Sequence, residues 1–265
     1  MMRIVEKTWN EYWAYQSRII QREAIPGIEG ADRQLVDFIE QACELKTGQR
    51  ILDIGCGGGH QALHMAKRGY KVLGLDIAPD LIKNARDMFR KEGVKGRFVV
   101  ADMRKMAFKE EFDVSLMLGS TFGFFGDAED ESILRAMKVA TRKKGKVFIS
   151  FTAANELLKN SKSWRRINDG WHLYEGWFNP VTNSYHTESV IITDNGTVIK
   201  PKYETGYSAN ESIRCYTLPE MKKMLENVGL RCVASYSLRD LSIPPKEPNS
   251  GVIRNIVLAQ NGSGL

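Results

Sequence analysis

The chain has 265 residues, 43% hydrophobic, 26% charged and 9% aromatic, ordinary globular usage that excludes disordered, collagen-like and fibrous classes and allows one core with an elaboration. Its net charge of +6 keeps an anionic partner such as RNA in view, but the basic residues are spread out. The one dense run, Arg142-Lys-Lys-Gly-Lys146, reads first as a solvated turn before a strand.

No segment reaches the roughly eighteen apolar residues of a membrane span, and the first residues lack a secretory apolar core. Cys43, Cys56, Cys215 and Cys232 have neither Cys-x-x-Cys nor metal-ligand spacing. A cytoplasmic protein with reduced thiols, no membrane partner and no metal is therefore expected.

Trp9, Tyr12, Trp13, Gln16, Ile19 and Ile20 recur at helical spacing and predict an aromatic-faced helix over Thr8 to Glu23. Pro26, Gly27 and Gly30 interrupt it, and Asp32 is placed to cap a second helix through Cys43. Strands then follow at Arg50 to Ile54, Lys71 to Leu75, Arg97 to Val100, Val114 to Leu118 and Lys146 to Phe151, with helices at Gln61 to Arg68, Pro79 to Glu92 and Asp130 to Thr141. Nearly all-apolar strands alternating with helices predict a doubly wound α/β domain, its parallel sheet covered on both faces.

Beyond Phe151 the pattern changes to strand-like runs at Trp171 to Phe178, Tyr185 to Thr193, Thr197 to Tyr207 and Glu211 to Tyr216. The links Asn179-Pro-Val-Thr-Asn183 and Asp194-Asn-Gly196 are too short for anything but antiparallel hairpins. A helix at Leu218 to Asn227 and strands at Arg231 to Ser237 and Arg254 to Ala259 complete the chain. Residues 152–216 thus read as an antiparallel insertion between 48–151 and 217–260, with helices in 1–47.

The stretch Ile51-Leu-Asp-Ile-Gly-Cys-Gly-Gly-Gly-His60 joins a strand to a helix through a glycine-rich turn, which presents unpaired backbone N–H groups to an anion. Gly57-x-Gly59-x-x-Ala62 also fits a loose dinucleotide fingerprint. Asp53 discriminates: beside the loop it would repel a pyrophosphate but favour a cationic ligand such as S-adenosylmethionine (SAM), whose carboxylate meets the loop while its ammonium and sulfonium face an acid. Asp76 ends the next strand, where a carboxylate accepts ribose hydroxyls. Asp102 follows the third strand as a candidate acceptor for an adenine amino group, with Ile77 and Met103 as apolar neighbours of the ring. Taken singly, each acid is equally a cap or a solvated loop residue; three at successive strand ends are harder to assign to capping.

Asp53-Ile-Gly-Cys-Gly-Gly-Gly59, Gly74-Leu-Asp76, Ala101-Asp102 and Phe112-Asp-Val-Ser-Leu-Met-Leu118 stand in the order and approximate spacing of the class I SAM-dependent methyltransferases, and the chain resembles that family over residues 48–151. The resemblance implies a Rossmann-like, seven-stranded, mostly parallel sheet and a methyltransferase that converts SAM to S-adenosylhomocysteine. It implies that Gly55, Cys56 and Gly57 cradle the methionine part, Asp76 holds the ribose, Asp102 and Met103 frame the adenine, and Leu118 with Gly119 offers carbonyls near the ammonium. Thr121-Phe-Gly-Phe-Phe125, the insertion and Arg214-Cys-Tyr-Thr-Leu-Pro-Glu220 resemble a subgroup with an antiparallel lid, which makes Phe122, Arg214 and Tyr216 candidate substrate contacts; a surface cation beside a lid-core aromatic is the other reading of the last two. Leu118-Gly-Ser-Thr-Phe122 departs from the Asn/Asp-Pro-Pro of amino-methylating relatives, and Met117 to Gly126 holds no carboxylate for a catalytic Mg²⁺.

Methyl transfer from a sulfonium needs alignment and dryness more than a nucleophile. A hydroxyl acceptor gains from a base, for which His186 is the candidate, its alternative being a histidine satisfied within or exposed on the sheet. Tyr12 or Tyr15 of the first helix is placed to touch the cofactor, the rest of that face to pack. The expected function is methyl transfer to a small-molecule N or O acceptor without metal. An RNA methyltransferase, a non-catalytic SAM-binding regulator and a nicotinamide oxidoreductase are the rivals.

Overall fold

The fold is taken from a computed structural model that describes residues 3–8, 11–12, 14–16, 28–154, 161–167, 169–202, 212–237 and 254–262. It contains two sheets. The larger has seven strands, β2 (Arg50–Ile54), β3 (Lys71–Asp76), β4 (Arg97–Val100), β5 (Phe112–Phe122), β6 (Thr141–Thr152), β12 (Leu230–Ser237) and β13 (Arg254–Asn261), in the order β12-β13-β6-β5-β2-β3-β4. All neighbours pair in parallel except β13, antiparallel to both β6 and β12. Chain order reverses between β2 and β5, the place where open α/β sheets bind ligands.

Strands with apolar residues on both sides are stable only when covered twice, and the helices divide accordingly. α1 (Ile28–Cys43), α2 (His60–Lys67) and α3 (Pro79–Lys91) cover one face, where Val36, Phe38, Ile39, Ala62, Ile82 and Phe89 pack with Ile51, Val114 and Phe148. α4 (Asp127–Ala140) and α5 (Leu218–Asn227) cover the other, with Ile133, Leu134, Met137, Met221 and Leu225 against Leu52, Ile54, Val147 and Val257. Each such buried aliphatic side chain contributes about 1.5–3 kcal/mol from transfer.

The second sheet runs β1-β10-β9-β8-β7, with β11 also pairing β9; its strands are β1 (Arg3–Lys7), β7 (Ser161–Ile167), β8 (Gly170–Asn179), β9 (Ser184–Thr193), β10 (Thr197–Pro201) and β11 (Ser212–Arg214). The expected hairpins are present, but two strands were not anticipated. β7, Ser-Lys-Ser-Trp-Arg-Arg-Ile, is mostly exposed and carries no apolar alternation. β1 comes from the start of the chain and pairs β10 in parallel.

Two other expectations need correction, and a third falls mostly outside the described residues. The first helix is preceded by β1, and only 11–12 and 14–16 of it are described as helical; Trp9, Trp13, Ile19 and Ile20 lie outside the described residues. α1 begins at Ile28, so Asp32 lies within it and accepts from Gln61 Nε2 at 2.7 Å instead of capping. The basic run at Arg142 to Lys146 belongs to β6, across an irregularity where pairing jumps from Phe112↔Thr141 to Val114↔Lys146. Arg142 pairs with Asp113 there, and Lys146 with Glu44 at 2.7 Å, so the run is partly neutralised.

Gly74, at the centre of β3, has no room for a side chain: a Cβ would stand 2.7 Å from Cys56 Sγ and 2.8 Å from Phe98 Cδ1. Gly74→Ala is expected to destabilise the protein by about 1–3 kcal/mol through overpacking and to disturb the glycine turn through Cys56. A lowered urea midpoint at unchanged m-value checks this.

Candidate active site

β2 and α2 are joined by Gly55 to Gly59, in which Gly55, Gly57 and Gly59 all take positive φ, at 70°, 52° and 80°. Only glycine adopts this conformation without a Cβ penalty. The turn folds back over β3: the amides of Gly55 and Cys56 both donate to the Leu75 carbonyl, at 2.9 and 3.0 Å. Asp76 then fixes it, accepting from Gly57 N through Oδ2 at 2.9 Å and from Ala78 N through Oδ1 at 2.9 Å. Charge-assisted bonds of this kind contribute about 1.5–3 kcal/mol each. Burial raises the Asp76 pKa, and these amides oppose it.

A cavity of about 620 Å³ opens at this loop. It is lined by Asp53, Gly55, Cys56, Gly57 and Leu118, together with Gly119 and Thr121. Thr121 seals one side, since a Cβ on Gly55 would stand 2.5 Å from its Cγ2, whereas Cβ atoms on Gly57 or Gly119 would meet nothing within 4 Å. Asp53 is 2% exposed; burial first, and then the neighbouring Asp76, push its pKa up to about 7. A carboxylate so placed is stabilised by a cation. Thr121 Oγ1 donates to the Leu118 carbonyl at 2.8 Å and Ser150 Oγ to the Gly119 carbonyl at 2.9 Å. Each of these carbonyls keeps a second lone pair.

The adenine-side residues are arranged differently. Asp102 caps the single 3₁₀ turn Met103–Lys105 through Arg104 N at 2.9 Å. Its carboxylate is also forked by the Arg104 guanidinium, with Nε at 3.1 and 3.0 Å and Nη2 at 2.7 Å, which lowers its pKa. The guanidinium lies over Phe125, 4.5 Å from the ring centroid. Asp102 is thus both cap and ion-pair partner. Ile77 is partly buried, Met103 packs against the α4–α5 core, and neither is among the residues lining the cavity.

Tyr15 packs with Val5 on the second sheet, with Lys7 Nζ 5.5 Å from its ring centroid. Its neighbour Tyr12 is buried with Ile167, Ile191 and Ile199, its hydroxyl 2.8 Å from Ser189 Oγ. Ala14, between them, packs on Ala78 and Leu81, just beyond Asp76. Gln16 Nε2 lies 3.1 Å from His172 Nε2; burial, then Arg165, lowers the His172 pKa to about 4, so its ring is neutral at ordinary pH.

Phe122, Arg214 and Tyr216 do come together, as a brace. Tyr216 is 1% exposed and lies 5.4 Å from Phe122 between ring centroids. Arg214 spans Asp127 through Nε at 3.1 Å and Glu220 through Nη2 at 2.8 Å. His186 stacks on Trp177 at 5.6 Å. Strand alternation sets it on the face opposite Ser189, and it is not among the residues lining the cavity.

Thr121, Ser150, Gln16, Asp127 and Asp130 were missed as contributors. Asp130 had a readable signal, an acid opening a predicted helix; Asp127 lay outside that predicted helix and falls in the first turn of the observed one, and the others are joined to their partners only by folding.

A glycine turn held by strand-end acids at the reversal point of a β12-β13-β6-β5-β2-β3-β4 sheet defines the class I SAM-dependent methyltransferases, enzymes whose cofactor is SAM. Residues 51–145 of the chain match the family described as methyltransferase domain. A ubiquinone biosynthesis O-methyltransferase of Idiomarina loihiensis is 27% identical over 180 residues, 62% of this chain and 71% of its own length. Other relatives of that name are matched over 43–62% of theirs. Among solved structures, a SAM-dependent methyltransferase from Clostridium acetobutylicum aligns with TM-score 0.71 at 16% identity, covering 96% of this chain and 99% of its own. SAM-bound CalS10, an amino pentose methyltransferase from Micromonospora echinaspora, aligns with TM-score 0.62 at 17% identity, over 96% and 92%.

Asp53 makes binding pH-dependent in a direction that can be stated. Its folded pKa of about 7 lies above the ordinary ~3.9, so its contribution to the stability of the ligand-free protein is present at low pH and is lost as pH rises through 7. A cationic ligand favours the ionised form, so S-adenosylhomocysteine is expected to bind more tightly as pH rises from 5.5 to 7.5, by at most about tenfold per unit, with proton release. Calorimetry in buffers of different ionisation enthalpy checks this; Asp53→Asn should abolish the release.

Proposed function

We propose that the chain transfers the methyl group of SAM to a nitrogen or oxygen of a small-molecule acceptor, without metal, with the cofactor seated at the glycine loop. The observation that carries this reading is the cavity at the loop, walled by Asp53, Gly57 and Leu118. Bound there, the cofactor supplies an electrophilic methyl on a leaving group that is already activated. The chain's own residues bind, orient and exclude water.

Gly55, Cys56 and Gly57 would hold the methionine part by their backbone, Asp53 and the free lone pairs of Leu118 and Gly119 the ammonium, and Asp76 the ribose. Asp76 has one lone pair per oxygen beyond those used by Gly57 and Ala78. Asp102 would reach an adenine amino group only by sharing its carboxylate with Arg104. Residues 1–47 are proposed to cover the cofactor side and 152–216 to form a lid. Ala14 on Ala78 and Leu81, with Tyr12 on the second sheet, supports a cover that touches both layers and leaves Tyr15 near the cofactor's edge.

Phe122, Arg214 and Tyr216 are proposed to shape the acceptor wall as a rigid unit, since Arg214 is engaged by Asp127 and Glu220. His186 as a base would require the acceptor to reach the Trp177 side of the sheet, so a neutral amine, which needs no base, suits this arrangement better than a hydroxyl. The relatives named for O-methylation speak for oxygen.

Incubating the protein with trideuteromethyl-SAM and separate amine and phenol panels is expected to give a product 17 mass units heavier than its acceptor, the mass of a trideuteromethyl group less one hydrogen, counted as about 17 from the atoms transferred. Label appearing only in added RNA would replace the small-molecule reading. Binding of S-adenosylhomocysteine with no transfer to either panel would favour a non-catalytic SAM-binding protein.

A further inference from the structure

The segment from Ser212 to Thr217 crosses from one sheet to the other. Ile213 pairs with Tyr185 in β9, whereas Tyr216 N donates to the Thr152 carbonyl at 3.1 Å and Ala154 N to the Tyr216 carbonyl at 3.0 Å, at the end of β6. Arg214 N donates to the Gly123 carbonyl at 2.8 Å, and a Cβ on Gly123 would stand 2.5 Å from the Arg214 carbonyl oxygen. The crossing is therefore seated tightly on the β5–α4 connection, which begins four residues after the cavity-lining Gly119.

At this seat the Tyr216 hydroxyl lies 3.0 Å from Asp127 Oδ1 and 2.8 Å from Asp130 Oδ2. One phenol carries one proton and can donate it fully to one carboxylate. Asp127 has a second donor in Arg214 Nε at 3.1 Å, whereas Asp130 Oδ1 is buried with no hydrogen-bond partner; with a proton on Asp130 its carboxyl donates to the phenol oxygen, which donates in turn to Asp127.

We propose that Asp127, Tyr216 and Asp130 form a proton-holding joint between the two sheets, in which Asp130 keeps a carboxyl proton against the tyrosine oxygen and its loss to solvent loosens the β5–α4 wall of the site.

Asp130 is the holder because it is 1% exposed, whereas Asp127 is exposed and already paired with Arg214. Burial pushes the Asp130 pKa up to about 6, with Asp127 adding to the rise and the Tyr216 hydroxyl and nearby backbone amides opposing it. Burial and the two acids push the Tyr216 phenol up, so it keeps its own proton. The other charged groups around the joint are Glu220 and Arg214 from the α5 side and, from the β4 side, Arg104, which lies over Phe125 and 3.9 Å from Glu129. The sign follows: with a folded pKa above the ordinary ~3.9, the stabilisation is complete at low pH and is lost as pH rises through about 6. The effect on turnover rests on the methyl-transfer reading, but the proton count does not, so the test reads titration and local protection and leaves activity aside.

The full chain labelled with ¹³C at aspartate carboxyls is titrated by NMR, and amide exchange of residues 122–127 and 212–216, corrected for intrinsic rates, is followed from pH 5 to 7.5. One carboxyl is expected to titrate near pH 6 and to vanish in Asp130→Asn. Protection should fall severalfold across this range in the natural protein and stay level in the variant. Asp130 titrating below pH 4.5, or a pH-dependent loss of protection that survives in Asp130→Asn, would overturn the proposal. Should that variant not fold, Asp127→Asn removes the charge facing Asp130 while keeping an amide oxygen for the Tyr216 hydroxyl and Arg214: it should move the Asp130 titration to lower pH, and an unmoved titration would also overturn it.

Discussion

The site depends on the way Asp76 is hydrogen-bonded. A turn with three glycines at positive φ loses much conformational entropy on folding, and it is held as a cradle by the Leu75 carbonyl, which takes the amides of Gly55 and Cys56, and by the two oxygens of one half-buried carboxylate, which hold the amides of Gly57 and Ala78. Those bonds favour the charged form of Asp76 against its burial. Asp53, one strand away, has burial and Asp76 both acting against its charge. Adjacent strand ends thus carry two carboxylates of different character: one committed to the loop, the other short of a positive partner. This asymmetry is the physical ground for expecting a cation at Asp53 and a polar, uncharged diol at Asp76.

Much of the α/β half was legible in the sequence. The strands Arg50–Ile54 and Arg97–Val100 and the helix Leu218–Asn227 fall at their expected bounds, because apolar runs bounded by Gly and Pro, and the capping box of Thr217 with Glu220, are local signals. β1 and β7 were not legible. They lie at the two edges of the second sheet, where one side of the ladder is unpaired and polar residues are tolerated, so nothing in their own pattern separates them from loop.

The same distinction governs the site. The glycine turn and the acids that end three strands were readable because each is defined within a few residues. The substrate half was not, because the roles of Arg214 and Tyr216 are decided by Asp127 and Asp130, more than eighty residues away in the chain, and because the register of β9 rather than its composition decides which way His186 faces. Asp102 shows how a local reading can be incomplete: the position at the strand end was right, but Arg104, two residues on, occupies the carboxylate from the side.

The contacts between the two layers differ in kind from those within them. Inside the larger sheet, aliphatic side chains such as Ile54, Leu116 and Ile149 are fully buried, and separating them from their neighbours would cost several kcal/mol per residue. Where residues 12 and 16 meet the second sheet, and where the 212–217 segment meets α4, buried side chains are hydrogen-bonded: Tyr12 with Ser189, Gln16 with His172, and Tyr216 with two acids. The boundary also runs past Ala78, which Ala14 touches and whose amide Asp76 holds. Ala78 thus links the contact made by Ala14 to the carboxylate that holds the glycine turn.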